Sequence, residues 1–277
     1  MFIKNIFVRI INNLIKPHKL PIKIFNKLNY YLNYRKYDQS LFEKKQNDIF
    51  NHYGLNREEG IRNLDSIKKL NINLITNKGL GSEHEIIFSS LSVNKNRSIN
   101  DILEIGTFDG FNALLLSSLF PSSNIDTIDL PENDEDFINF YNRKNNADDF
   151  VKDRNNTLSK NKNINFFPMS SLKLLNQKKK YDLIWIDGAH GYPFVCIDII
   201  NSLHILKENG LILCDDVFLN LNHRNSSTMY SSIASFETLN ELKKQNLINF
   251  KLVFKRLHPK NNCLENKRKF IAIVNKI

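Results

Sequence analysis

The chain has 277 residues, 42% of them hydrophobic and 25% charged, which suits one mid-sized domain with an extension and excludes wholesale disorder. No apolar run reaches 18 residues, which argues against a membrane-spanning helix. Three cysteines, Cys196, Cys214 and Cys263, lack the spacing of a thiolate zinc site and fit a reducing cytosol. The net charge of +10 points first to nucleic acid or an anionic membrane. Yet residues 1–37 hold eight bases and no acid, leaving 31 bases against 29 acids in a nearly neutral body.

Residues 1–37 read as a basic amphipathic segment. Ile3, Ile6, Phe7, Ile10, Ile11 and Leu14 share one helical face opposite Asn5, Arg9, Asn12 and Lys16, and Pro17 ends the pattern. Lys4 and Arg9 interrupt the apolar stretch, which argues against a signal peptide. Two readings stand side by side: peripheral contact with an anionic membrane, or a helix packed on its own domain or on a second copy in a homo-oligomer. Residues 38–277 read as the main domain, with N-terminal helices in 38–92 that could form a lid over it. Ser40-x-x-Glu43 and Ser82-x-x-Glu85 have the form of capping boxes opening two of those helices.

From Ile99 onward, short apolar runs alternate with helical stretches. The runs are Asp101–Ile105, Asn124–Leu130, Asn163–Met169, Tyr181–Ile186, Leu211–Cys214, Phe250–Arg256 and Phe270–Asn275, with helices at Asn112–Leu119, Phe194–Leu206 and Ser231–Gln245. Strands that are apolar nearly throughout indicate a parallel sheet covered on both faces. The expected fold is therefore α/β: a Rossmann-like doubly wound sheet, mostly parallel, with a C-terminal antiparallel hairpin and an N-terminal helical extension. The Asn-rich and charged stretch Asn133–Lys162 reads as a surface insertion.

Five strand ends carry chemistry. The first leads into Gly106-Thr107-Phe108-Asp109-Gly110, a strand–glycine turn–helix corner suited to a nucleotide. Phe108 stands where a dinucleotide fingerprint needs its second glycine, which disfavours a pyrophosphate and tolerates a nucleoside. The second ends in Asp129, about 20 residues on, where a carboxylate can accept from both ribose hydroxyls. Ser170 follows the third, at the height of an adenine edge. The fourth and fifth end in Asp187-Gly188-Ala189-His190 and Asp215-Asp216. Three acids converging at carboxyl ends repel one another and call for a proton or a cation, and oxygen ligands select a hard ion such as Mg2+. His190, in a turn three residues past Asp187, is placed as a general base near pH 7.

These residues resemble the class I S-adenosylmethionine-dependent methyltransferases. Within them, they are similar to the metal-dependent O-methyltransferases, which include catechol and caffeoyl-coenzyme A enzymes and bacterial sugar and macrolide O-methyltransferases. The family's first motif, L-E-[IL]-G-x-[FY]-x-G-[FY], is matched by Leu103 to Phe111, and the resemblance spans roughly residues 80–218. It implies that Glu104, Gly106, Phe108 and Asn112 line the methionine and ribose side of S-adenosylmethionine. Asp129 would hold the ribose and Ser170 the adenine, while Asp187, Asp215 and Asp216 would ligate a divalent cation, with Asp187 and His190 as the catalytic pair. Two departures bear on the acceptor: Asp216 stands where catechol-type enzymes commonly have Asn, and His190 where they have Lys, as in the sugar-modifying branch. The expected acceptor is therefore a sugar or glycan hydroxyl on a small molecule, and the expected location is the cytoplasm, with membrane contact at most peripheral. An RNA methyltransferase is the competing enzyme. Base-modifying enzymes of that kind usually show an N-P-P-Y- or D-P-P-Y-like strand end, which Ile186-Asp187-Gly188-Ala189-His190 is not, and the neutral body offers little phosphate-tracking surface, so nucleic acid is disfavoured. A non-catalytic binding protein on the same fold is the other alternative.

Overall fold

The structure, a computed structural model, describes residues 28, 32–35, 37–70, 81–139, 147–220, 232–262 and 268–277. The N-terminal amphipathic stretch up to Pro21, residues 221–231 and Cys263 lie outside the described residues. In chain order the main elements are α1 Gln39–His52, α2 Arg57–Leu70, α3 Glu83–Ser92, β1 Asp101–Ile105, α4 Phe111–Leu119 and β2 Asn124–Asp129. There follow α5 Glu135–Asn139, α6 Ala147–Leu158, β3 Ile164–Pro168, β4 Tyr181–Ile186, α7 Phe194–Ile205, β5 Leu206–Val217, α8 Ala234–Lys244, β6 Ile248–Phe254, the short α9 Pro259–Asn262 and β7 Phe270–Lys276. No helix among the described residues is long and apolar enough to cross a membrane.

The seven strands form one sheet in the order β3-β2-β1-β4-β5-β7-β6. Strands β1 to β5 run parallel, while β7 is antiparallel to both β5 and β6. This is the expected doubly wound architecture with its terminal hairpin. The order reverses between β1 and β4, and at such a switch point the loops leave the sheet in opposite directions and open a crevice at the strands' carboxyl ends.

Strand side chains alternate between two buried layers, which explains why the runs are apolar at nearly every position. Ile102, Ile125, Leu183, Trp185, Leu213 and Ile273 face one way, against Phe50 of α1, Phe88 of α3 and Leu114 of α4. Leu103, Ile128, Ile184, Ile186, Cys214 and Val274 face the other, against Val195 and Ile199 of α7 and Leu239 of α8. Each such fully buried aliphatic or aromatic side chain contributes about 2 kcal/mol. Helices α1–α3 are thus part of the core. Gln46 exchanges two 3.0 Å hydrogen bonds with the backbone of Phe254, and the Tyr53 hydroxyl donates to the Ile273 carbonyl at 2.7 Å.

Two local expectations are corrected. Helix α1 is capped by Asp38, whose Oδ1 accepts from the amides of Ser40 and Leu41, so Ser40 is not the cap. Ser82 does sit at the N-cap of α3, but its hydroxyl is 2.8 Å from His84 Nδ1 and caps no backbone amide. The stretch 133–162 is also more than a surface insertion. It forms α5 and α6, and buries Phe137 and Arg154. The Arg154 guanidinium lies 4.3 Å from the centre of the Phe166 ring of β3 and donates to Glu132 at 2.7 Å.

Candidate active site

The glycine turn after β1 is fixed by how closely two loops approach. Gly106 has φ +102°, and a Cβ there would stand 2.5 Å from the carbonyl oxygen of Asp187. Its amide donates to the Ile128 carbonyl, and the Asp187 amide donates to the Ile105 carbonyl, both at 2.9 Å. Any side chain at 106 would push the β1 and β4 loops apart. Phe108 also adopts a left-handed conformation (φ 48°), and its amide donates to Asp129 Oδ2 at 2.9 Å. Asp129 Oδ1 accepts from the Leu130 amide at 2.8 Å. The strand-tip carboxylate therefore holds the glycine turn through one oxygen and its own following residue through the other, each oxygen keeping a lone pair.

Behind the turn lies a buried polar chain. Thr107 and Thr127 hydroxyls are 2.6 Å apart, Thr127 donates to Glu104 at 2.5 Å, and Asn112 Nδ2 donates to Glu104 at 2.7 Å. Glu104 is fully buried, and burial raises its pKa to about 8. It borders neither of the crevice's two cavities, but Asn112, which it holds, borders one of them, and the buried Asn112 Oδ1 has no protein partner.

Two adjoining cavities meet at Gly106, Phe108 and Asp187. One, of about 340 Å³, is bordered by Asp129, Ser170, His190, Phe194, Asp198 and Asp216. The other, of about 270 Å³, is bordered by Asn112, Thr107, Asp109, His84, Glu85 and Lys68. Their sizes suit the two ends of an elongated small ligand. Ser170 Oγ accepts from the Leu172 amide at 3.3 Å and caps the turn Ser171–Asn176 while bordering the first cavity. Of the expected residues, Gly106, Phe108, Asn112, Asp129, Ser170, Asp187, His190 and Asp216 border this crevice.

His190 is buried, its Nε2 lies 3.5 Å from Asp187 Oδ1, and its Nδ1 has no protein partner. Burial disfavours the imidazolium, but Asp187, Asp215 and Asp216 outweigh it and hold the pKa above the ordinary histidine value. Burial and the neighbouring Asp215 charge likewise hold Asp187 above the usual carboxylate range, against the opposing pull of His190 and Lys255. A base that gains a proton in this setting keeps it close to a compensating carboxylate. Asp198, buried on α7, also borders the cavity; its Oδ1 lacks a partner, and burial lifts it to about 6.

Two of the acids expected to ligate a metal are held by lysines instead. Lys255 Nζ contacts Asp215 Oδ2 and lies 2.5 Å from Asp216 Oδ1; Lys269 Nζ lies 2.5 Å from Asp216 Oδ2. Burial would raise Asp215, but chiefly Lys255 holds it down at about 2. A divalent ion ligated by both Asp215 and Asp216 would have to displace the Lys255 ammonium that already bridges them. Asp187, Asp215 and Asp216 therefore do not fit Mg2+ as ligands, and among the described residues no group of three or more His, Cys, Asp or Glu is arranged to hold a metal ion.

Sequence reasoning missed Lys255, Lys269 and His84. Because β7 runs antiparallel to β5, its first residues sit at the carboxyl end of β5, and β6 returns its last residues to the same place; Val217 and Phe254 both pair with Phe270. The hairpin's direction was the available signal. His84, on the first turn of α3, packs its ring 5.0 Å from that of Trp185 and faces the second cavity.

Residues 103–217 match the family model described as a methyltransferase domain. A search of curated proteins gives no match to the chain. Among solved structures, an O-methyltransferase from Bacillus cereus in complex with SAH is similar at 13% identity, covering 78% of this chain and 91% of its own, with a TM-score of 0.48. A Staphylococcus aureus protein assigned as a caffeoyl-CoA O-methyltransferase is similar at 18% identity, covering 86% and 100%, with a TM-score of 0.48. The SAH-bound methyltransferase PaMTH1 of Podospora anserina is similar at 15% identity, covering 79% and 88%, with a TM-score of 0.46.

Proposed function

Taking residues 103–217 as a methyltransferase domain, we propose that the chain transfers a methyl group from S-adenosylmethionine to a hydroxyl oxygen of a small-molecule acceptor, a sugar or glycan. The observation that carries the reading is the meeting, at one switch-point crevice, of the Gly106 turn, the Asp129 carboxylate and the buried His190–Asp187 pair. The residues fit the cofactor. The turn leaves no room for a Cβ at 106, Asp129 keeps acceptor capacity for ribose hydroxyls, Ser170 borders the adenine side, and Asn112 Oδ1 is an unpaired acceptor for the methionine ammonium.

S-adenosylmethionine, when bound, supplies the electrophilic methyl group. His190 accepts the acceptor's hydroxyl proton, and Asp187 stabilises the resulting imidazolium. The crevice walls hold the two reactants at attack distance, which is the sheet's largest contribution to rate. Phe194 at the rim offers an apolar face for an acceptor ring. No step is routed through a divalent metal, since Lys255 and Lys269 hold two of the three acids.

The cytoplasm is the proposed location, with residues 1–37 in contact with an anionic membrane or a second copy; vesicle co-sedimentation of the full chain tells these apart. Transfer of labelled methyl from S-adenosylmethionine to a panel of nucleotide sugars and lipid-linked glycans tests the reading. A labelled sugar supports it, whereas label in RNA and in no sugar supports the competing enzyme.

A further inference from the structure

The three acids at the ends of β4 and β5 need positive charge, and this chain brings its own. Lys255 Nζ bridges Asp215 and Asp216, and Lys269 Nζ covers the remaining oxygen of Asp216. Lys255 is not a surface lysine folded over by chance. Its side chain is 11% exposed, its amide donates to the Lys269 carbonyl at 2.9 Å, and its carbonyl accepts from the Glu83 amide at 2.9 Å. Glu83 in turn is clamped by both Nε and Nη2 of Arg57, at 2.8 and 2.7 Å. The backbone on either side of the ammonium group is therefore tied to both the hairpin and α3.

We propose that Lys255 is a built-in cation: its ammonium takes the position between Asp215 and Asp216 that a divalent metal would need, so this chain binds no metal there and its methyl transfer requires none. The proposal rests on the methyl-transfer reading for its second half only; its first half concerns metal binding and stands apart. The transfer balances without a metal: the acceptor O–H proton passes to His190, the oxygen–carbon bond forms, and the pair of the broken carbon–sulfur bond stays on sulfur. Lys255 is a positioning residue in this account, holding the two aspartates and fixing the charge beside the acceptor site.

Mn2+ reports binding directly through loss of its free electron paramagnetic resonance signal. Titrated with Mn2+, the full-length protein is expected to leave that signal unchanged, and saturation with EDTA should leave methyl transfer unchanged. Lys255→Met should bind Mn2+ on the order of tenfold more tightly or better, because one ammonium no longer opposes the ion. Lys255→Arg, which keeps the charge, should behave as the wild type. Wild-type protein that binds Mn2+, and loses it in Asp215→Asn, overturns the proposal without any need for the Lys255 variants to fold. A folded Lys255→Met protein that still ignores Mn2+ overturns it as well. Titration with S-adenosylhomocysteine in the same samples reports the cofactor site separately, so failure of the methyl-transfer reading is told apart from failure of this one.

Discussion

At the β1–β2 end of the crevice the polar groups are backbone amides gathered on one carboxylate, whereas at the β5–β7–β6 end they are two aspartates and two lysines in contact. The first arrangement leaves hydrogen-bonding capacity open towards the cavity, through Asp129 and the unpaired Asn112 Oδ1. The second meets most of its capacity internally, leaving only the buried Asp215 Oδ1 without a partner among the four side chains. An end with unmet polar groups is built for a ligand, and an end whose charges cancel is built to hold a shape. His190 stands between the two, with Asp187 on one side and an unpartnered Nδ1.

Four substitutions break or sharpen that contrast. Gly106→Val should have the largest effect, because its Cβ would strike the Asp187 carbonyl and φ +102° strains any side chain. A loss of about 3 kcal/mol in stability and of all measurable S-adenosylmethionine binding is expected, read by thermal unfolding and calorimetry. His190→Ala should lower turnover by at least about a hundredfold while leaving cofactor affinity unchanged. Equal loss of both would remove histidine from the base role.

Asp129→Ala releases the Phe108 and Leu130 amides and removes the carboxylate proposed to hold the ribose. It should weaken cofactor binding on the order of tenfold to a hundredfold, with little change in Mn2+ behaviour. Glu104→Gln is the mildest. The Glu104 pKa is raised from 4.5 to about 8, so the folded state holds a proton that the unfolded state has lost. Its contribution to stability is fully present below pH 4.5 and lost as pH rises through about 8. Glutamine cannot ionise, so the variant's melting temperature should fall less than that of the wild type across this window, by on the order of a few degrees.

The same contrast explains what the sequence could disclose. Strands β1 and β4 match the expected Asp101–Ile105 and Tyr181–Ile186, since apolar side chains fill both faces of a central strand. Strand β5 starts five residues before the expected Leu211, because Lys207, Glu208 and Asn209 break the apolar run while Leu206 still pairs with Tyr181 across an irregularity. Helix α6 was hidden by its charged face: only Arg154, Thr157 and Leu158 are buried. At the site, Asp129 and Asp187 were legible because each ends a strand beside the glycine turn, and local order fixes where they point. Lys255 and Lys269 were not. A lysine flanking a hairpin loop looks solvated until the hairpin is placed antiparallel to β5, and sequence separations of 40 and 53 residues from the aspartates they meet carry no local signal.

The central claim is that the crevice between β1 and β4 holds S-adenosylmethionine against a histidine base, and calorimetric titration of the full-length protein with S-adenosylmethionine, in EDTA, tests it most directly. One site per chain is predicted, retained in His190→Ala and weakened in Asp129→Ala. No binding by the wild type, or binding that Asp129→Ala leaves untouched, would contradict it.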